Sequence, residues 1–174
     1  HSQAFYRLTQ GAPHLVIDLV VMRRSSEGWF LERKRHGDPA VLFDRLGGIT
    51  GTDIDAAEQQ ALVAQRIDWL RSMLAIFADF VDKDLQRGNH LGALDAYRSM
   101  VLRPLTELLG IRYCPYRYDF GARYAAYEFP PEVVTRLERL SFVADPEELP
   151  ALRREAEGWF LDVLTEIDLE GIEL

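Results

Sequence analysis

TDIDAAEQQALVAQRIDWLRSMLAIFADFVDKDLQRGN, residues 52–89, is the stretch whose hydrophobic period decides the fold. Val63, Ile67, Leu70, Leu74, Phe77 and Val81 recur at spacings of four and three, so a helix gathers them into one apolar stripe. Thr52-Asp53-Ile54-Asp55 resembles a capping box and puts acidic residues in the first turn, where the helix dipole favours them. The pattern predicts one helix running to about Arg87 and stopping at Gly88-Asn89. At ~1.5 Å per residue it would be about 50 Å long, the length of a bundle helix.

Downstream the helical period continues. Residues 90–109 carry Leu94, Val101, Leu105 and Leu108 on one face, end at Gly110, and contain Pro104, whose missing N–H predicts a kink near Met100. After an aromatic loop, Tyr113–Tyr118, three shorter helices are expected at 120–128, 131–140 and 146–167, punctuated by Pro130-Pro131 and Asp145-Pro146. Upstream, the period is that of strands. LVIDLVVM, residues 15–22, is rich in β-branched residues and bounded by Gly11-Ala12-Pro13 and the polar stretch 23–28, which predicts a buried strand. Val41–Phe43 reads as a second, shorter strand. Two short strands need further partners to be stable, and because the chain opens at His1 rather than Met, the native start is expected elsewhere, with those partners upstream. The fold class is therefore mainly α, a C-terminal helical bundle over 51–174 preceded by a short β segment over 1–50.

The composition narrows the function. A net charge of −8 disfavours a nucleic-acid-binding surface, since phosphate backbones are held by clustered Lys and Arg. The run Leu15–Met22 contains Asp18 and is far shorter than the ~20 apolar residues of a membrane span, and no signal peptide is visible. One cysteine, Cys114, cannot pair within the chain, so a reducing, cytoplasmic setting is expected.

Few residues carry a chemical signal. Asp18 shares a strand face with Val16, Val20 and Met22, where a carboxylate must be matched by a metal, by a neighbouring arginine or by backbone amides. On a helical wheel Arg98 falls in the middle of the Leu94, Val101, Leu105 and Leu108 stripe. A guanidinium there requires an anion: either Glu107, Asp95 or Asp68 as a salt bridge, or a substrate group. Residues 112–118, RYCPYRY, interleave two arginines with three tyrosines. Such a loop can stack a base and clamp phosphates, or close the end of a bundle with amphipathic rings. His36 sits in a solvated basic turn, and neither a zinc spacing nor a phosphate-binding glycine loop occurs.

Taken together, LVIDLVV, the basic ERKRHG turn, VLFDRLG and a helical region ending FPPEVVTRLERL and ADPEELPALRREAEGWF resemble bacterial nucleotidyltransferase-fold proteins. The likeness is to the aminoglycoside and lincosamide nucleotidyltransferases with C-terminal helical domains. The resemblance implies that residues 1–50 are the remnant of an α+β nucleotidyltransferase domain and that 51–174 form its substrate-binding domain. It further implies transfer of a nucleoside monophosphate from an NTP to a hydroxyl of a small-molecule acceptor, with two magnesium ions. Asp18 matches the third metal carboxylate of that family, and Tyr97, Arg98 and Arg117 are the expected substrate contacts. The Gly-Ser…Asp-x-Asp motif that supplies the other two carboxylates does not occur in these 174 residues, so the chain as given is expected to be catalytically silent. The alternative is a non-enzymatic helical interaction module or a degenerate nucleotidyltransferase-like protein.

Overall fold

A computed structural model describes residues 1–11, 14–23, 25, 32–45, 47 and 51–167. The chain is mainly helical and divides into two compact units, His1–Asp53 and Ile54–Leu174.

In the first unit, β1 (Ser2–Arg7) and β2 (Val16–Val21) form an antiparallel hairpin with Ser2 opposite Val21 and Arg7 opposite Val16. The strand expected at Leu15–Met22 is thus present, and β1 is a partner that the sequence did not announce. Burial is where expectation and structure part. Every residue of β2 is exposed, because a two-stranded ladder supplies backbone hydrogen bonds and leaves both faces without a packing layer. Val41–Phe43, expected as a strand, is irregular and exposed, with no ladder partner. A single helical turn, α1 (Arg33–His36), follows Glu32, which bridges to Thr52.

The second unit is helical throughout. α2 (Ala56–Phe77) begins one turn later than the capping-box reading placed it: the Asp55 carboxylate accepts from the N–H groups of Ala57 and Glu58, both at 2.9 Å. Val63, Ile67, Leu70 and Leu74 are buried on the expected stripe. The long helix is broken at Ala78-Asp79, where Asp79 ion-pairs with Arg153 at 2.8 Å, and resumes as α3 (Phe80–Gln86) with Val81 buried. Asn89 then caps α4 (His90–Ala96), its side chain accepting from Gly92 N–H.

Beyond α4 the helical winding changes. The chain passes through a π-helical turn, Tyr97–Leu102, in which Arg103 N–H donates to the Arg98 carbonyl, and re-enters an α-helix, α5 (Arg103–Tyr113), with Pro104 in its first turn. Proline, which has no N–H to donate, sits just beyond the wider π-turn, where the regular helical hydrogen-bond ladder is already interrupted. A 3₁₀ segment (Tyr118–Tyr124) leads to α6 (Ala125–Glu128) and α7 (Pro131–Ser141); a short 3₁₀ turn (Pro146–Glu148) leads to α8 (Leu149–Glu166).

Eight consecutive residues of α5, Pro104 to Ile111, are buried, so this helix is enclosed on all sides. It packs against α2, α8, the π-turn and the 3₁₀ segment. Tyr97 is fully buried beside it, and its hydroxyl donates to the Leu140 carbonyl at 2.9 Å. That carbonyl lies in the last turn of α7, where helical donors run out. Tyr97→Phe preserves the packing and strands this acceptor, so a loss of about 1–2 kcal/mol is expected in urea unfolding; an unshifted midpoint would show that the hydroxyl contributes nothing.

Candidate binding cavity in the helical unit

The arrangement that brings chemistry-bearing side chains together is a cavity of about 760 Å³ within the helical unit. Its walls come from α2 (Arg66), the π-turn (Arg98, Leu102), α5 (Arg103, Thr106, Glu107), the 3₁₀ segment (Tyr118, Asp119, Phe120, Gly121, Ala122) and the end of α7 (Ser141). Two glycines shape it. A Cβ on Gly110 would stand 2.9 Å from Tyr118 Cα and 3.0 Å from its carbonyl oxygen, so only glycine lets the 3₁₀ segment lie directly on α5. Gly110, expected as a helix terminator, instead sits inside the helix for this reason. Gly121 (φ +61°, ψ −143°) then turns the chain in a conformation that suits glycine alone.

Glu107 is 7% exposed, and a carboxylate so placed needs a compensating cation. Arg66 supplies it in a two-pronged pair, Nε to Oε1 at 2.7 Å and Nη2 to Oε2 at 2.9 Å, while its guanidinium lies 4.0 Å from the Trp69 ring. The hydrogen bond that Arg66 donates to Glu107 holds the Arg66 pKa above its ordinary value, against the opposing effect of burial. The hydroxyls of the lining are also engaged: Thr106 donates to the Leu102 carbonyl at 2.8 Å and Ser141 to that of Leu137 at 2.7 Å.

Arg98 and Arg103 are different. Both are exposed at the cavity, and neither has a carboxylate partner among the described residues. The sequence places Arg98 inside the apolar stripe, matched either by Glu107, Asp95 or Asp68 or by a substrate group. Glu107 is taken by Arg66, and Asp68 pairs with Arg71. The inward position belongs to Tyr97, in line with buried Ala93, Val101 and Leu108, so Arg98 falls at the stripe's edge. The alanines were the missed signal, because they pack as core while adding little apparent hydrophobicity. The π-turn does the rest: in an α-helix residues five apart point about 140° away from each other, whereas here Arg103 N–H is bonded to the Arg98 carbonyl, one turn below.

The other expected site residues lie apart from this cavity. Tyr97 is a core residue whose hydroxyl is occupied, and burial pushes its pKa up. Arg117 pairs with Glu128 at 2.9 Å, and its guanidinium lies 5.4 Å from the Tyr124 ring centroid, within the loop that also holds Cys114. Burial, foremost, and the neighbouring Glu128 raise the Cys114 thiol pKa. Asp18 stands on the exposed hairpin opposite Phe5, its two oxygens accepting from Gln3 Nε2 at 2.9 and 3.0 Å. Among the described residues no three His, Cys, Asp or Glu side chains gather as a metal group. The residues present therefore do not fit the magnesium pair that the resemblance implies. No helix among the described residues is long and apolar enough to cross a membrane.

Comparison with known protein families, with characterised proteins and with solved structures yields no match to this chain.

The Arg66–Glu107 pair is the interaction on which the cavity wall rests. Glu107→Gln is expected to cost about 1–3 kcal/mol in urea unfolding, since a half-buried guanidinium loses its counter-charge. Combined with Arg66→Gln, the loss is expected to be clearly less than the sum of the two single changes. Additive losses would show that the two side chains are not energetically coupled.

Proposed function

We propose that the helical unit is a binding domain for a small anionic molecule, which it takes up in the cavity beside the π-turn. The observation that carries this reading is the pair Arg98 and Arg103: two guanidiniums on one concave surface with no carboxylate partner among the described residues, in a chain whose net charge is −8. Self-repulsion would ordinarily separate such neighbours unless an anion joins them, and a guanidinium fork suits carboxylate or phosphate oxygens. A volume of about 760 Å³ fits a metabolite-sized ligand.

Calorimetry at low ionic strength tests this, with phosphate, sulfate and acetate as titrants. Saturable binding to at least one of them is expected, weakened about tenfold by Arg98→Gln and by Arg103→Gln, which is the worth of one charge-assisted hydrogen bond. Absence of any saturable heat, or binding indifferent to both substitutions, would reject the reading.

A second reading follows the resemblance, in which this cavity is the acceptor wall of a nucleotidyltransferase that moves a nucleoside monophosphate from an NTP to a hydroxyl. It is favoured by one observation, that Arg98, named from the sequence as a substrate contact, lines the cavity. No step can be derived through magnesium from the residues described. The two readings part in a titration with ATP and GTP, each with and without magnesium. Metal-dependent heat that is lost in Asp18→Asn, together with pyrophosphate release by the intact protein, is the expected outcome under transfer. Binding that is indifferent to both the metal and Asp18 leaves a domain that binds without catalysing.

A further inference from the structure

We infer that the ligand of the Arg98–Arg103 cavity is a phosphate monoester carried on a planar aromatic or heteroaromatic ring. This inference rests on the anion-binding reading and adds to it the class of the ligand. Among the described residues three arginines line the cavity against two carboxylates, Glu107 and Asp119, and Glu107 is already paired with Arg66. The remaining cationic excess sits on Arg98 and Arg103, adjacent through the π-turn. Two guanidinium forks present more donors than one carboxylate can accept in plane. A phosphate monoester offers three terminal oxygens and a charge near −1.5 to −2, which two forks can share.

The wall beside them is aromatic. Tyr118 and Phe120 belong to the segment that Gly110 and Gly121 hold against α5, and both line the cavity. Tyr118 packs on the hydrophobic core, and Phe120 is supported by Tyr124, with ring centroids 5.8 Å apart. Each ring is thereby fixed in place, and a fixed ring can receive a flat ligand without ordering a mobile side chain. The hydroxyls of Thr106 and Ser141 donate to backbone carbonyls, so neither has a proton left to donate to a sugar or polyol.

The test is a titration of the full chain with inorganic phosphate, ribose 5-phosphate, phenyl phosphate, AMP and benzoate. Phenyl phosphate and AMP are expected to bind about tenfold or more tightly than inorganic phosphate and ribose 5-phosphate, the usual worth of one stacked ring. Benzoate, which has a ring and a single carboxylate, is expected to bind at least about tenfold more weakly than phenyl phosphate. Phe120→Leu should erase most of the ring advantage while leaving inorganic phosphate affinity within about twofold, with a far-UV spectrum and melting temperature confirming that the variant folds. Ribose 5-phosphate equal to phenyl phosphate overturns the ring assignment, and benzoate equal to phenyl phosphate overturns the phosphate; in either case anion binding as such survives. Failure of every anion in the panel overturns the inference and the reading beneath it together. The wild-type panel decides these outcomes without any variant.

Discussion

The constraint behind this fold is the complete enclosure of α5. A helix with solvent on one side can leave polar groups there; from Pro104 to Ile111 this one has no such side. Each polar atom on it must find a partner within the protein. Thr106 turns back to its own helix, and Glu107 draws Arg66 across from α2. The pair fixes the relative placement of two helices while it resolves an electrostatic debt, since a lone carboxylate at that depth would cost several kcal/mol.

The same enclosure explains the shape of the cavity. Because Gly110 presents no side chain, the 3₁₀ segment comes into backbone contact with α5, and Gly121 turns it along the cavity wall. One arginine of the lining is neutralised by the core, and two, both on the π-turn side, are left facing space. Of the three arginines among its described lining residues, one is paired with a buried carboxylate and two are exposed.

Much of the helical unit was legible in the sequence, because its signals are local. The Val63 to Leu74 stripe, the stop near Gly88-Asn89 and the proline-led starts of α7 and of the turn before α8 follow from spacing and backbone chemistry. What escaped depends on non-local contacts. Gly110 reads as a terminator until Tyr118 is seen pressed against it. Tyr97 and Arg98 exchange roles because Ala93 and Ala96 count as core only once packed. Arg66 and Arg103 have no anomaly of spacing, and Arg103 becomes informative only through the π-turn. In the first unit, the β-branched run signalled a strand correctly, and burial was inferred from composition alone. Apolar residues demand a cover, and they do not say whether two strands provide it.

The π-turn also has a meaning for how this helix can vary. Closing a turn over five residues instead of four is what one extra residue does to a regular helix. Shortening the segment Tyr97–Leu102 by a single residue would let the backbone revert to ordinary helical winding, with α4 and α5 keeping their own internal contacts. Arg98 and Arg103, then four residues apart, would remain on one face of the helix. The π-turn thus absorbs one extra residue in the helix without parting the two arginines.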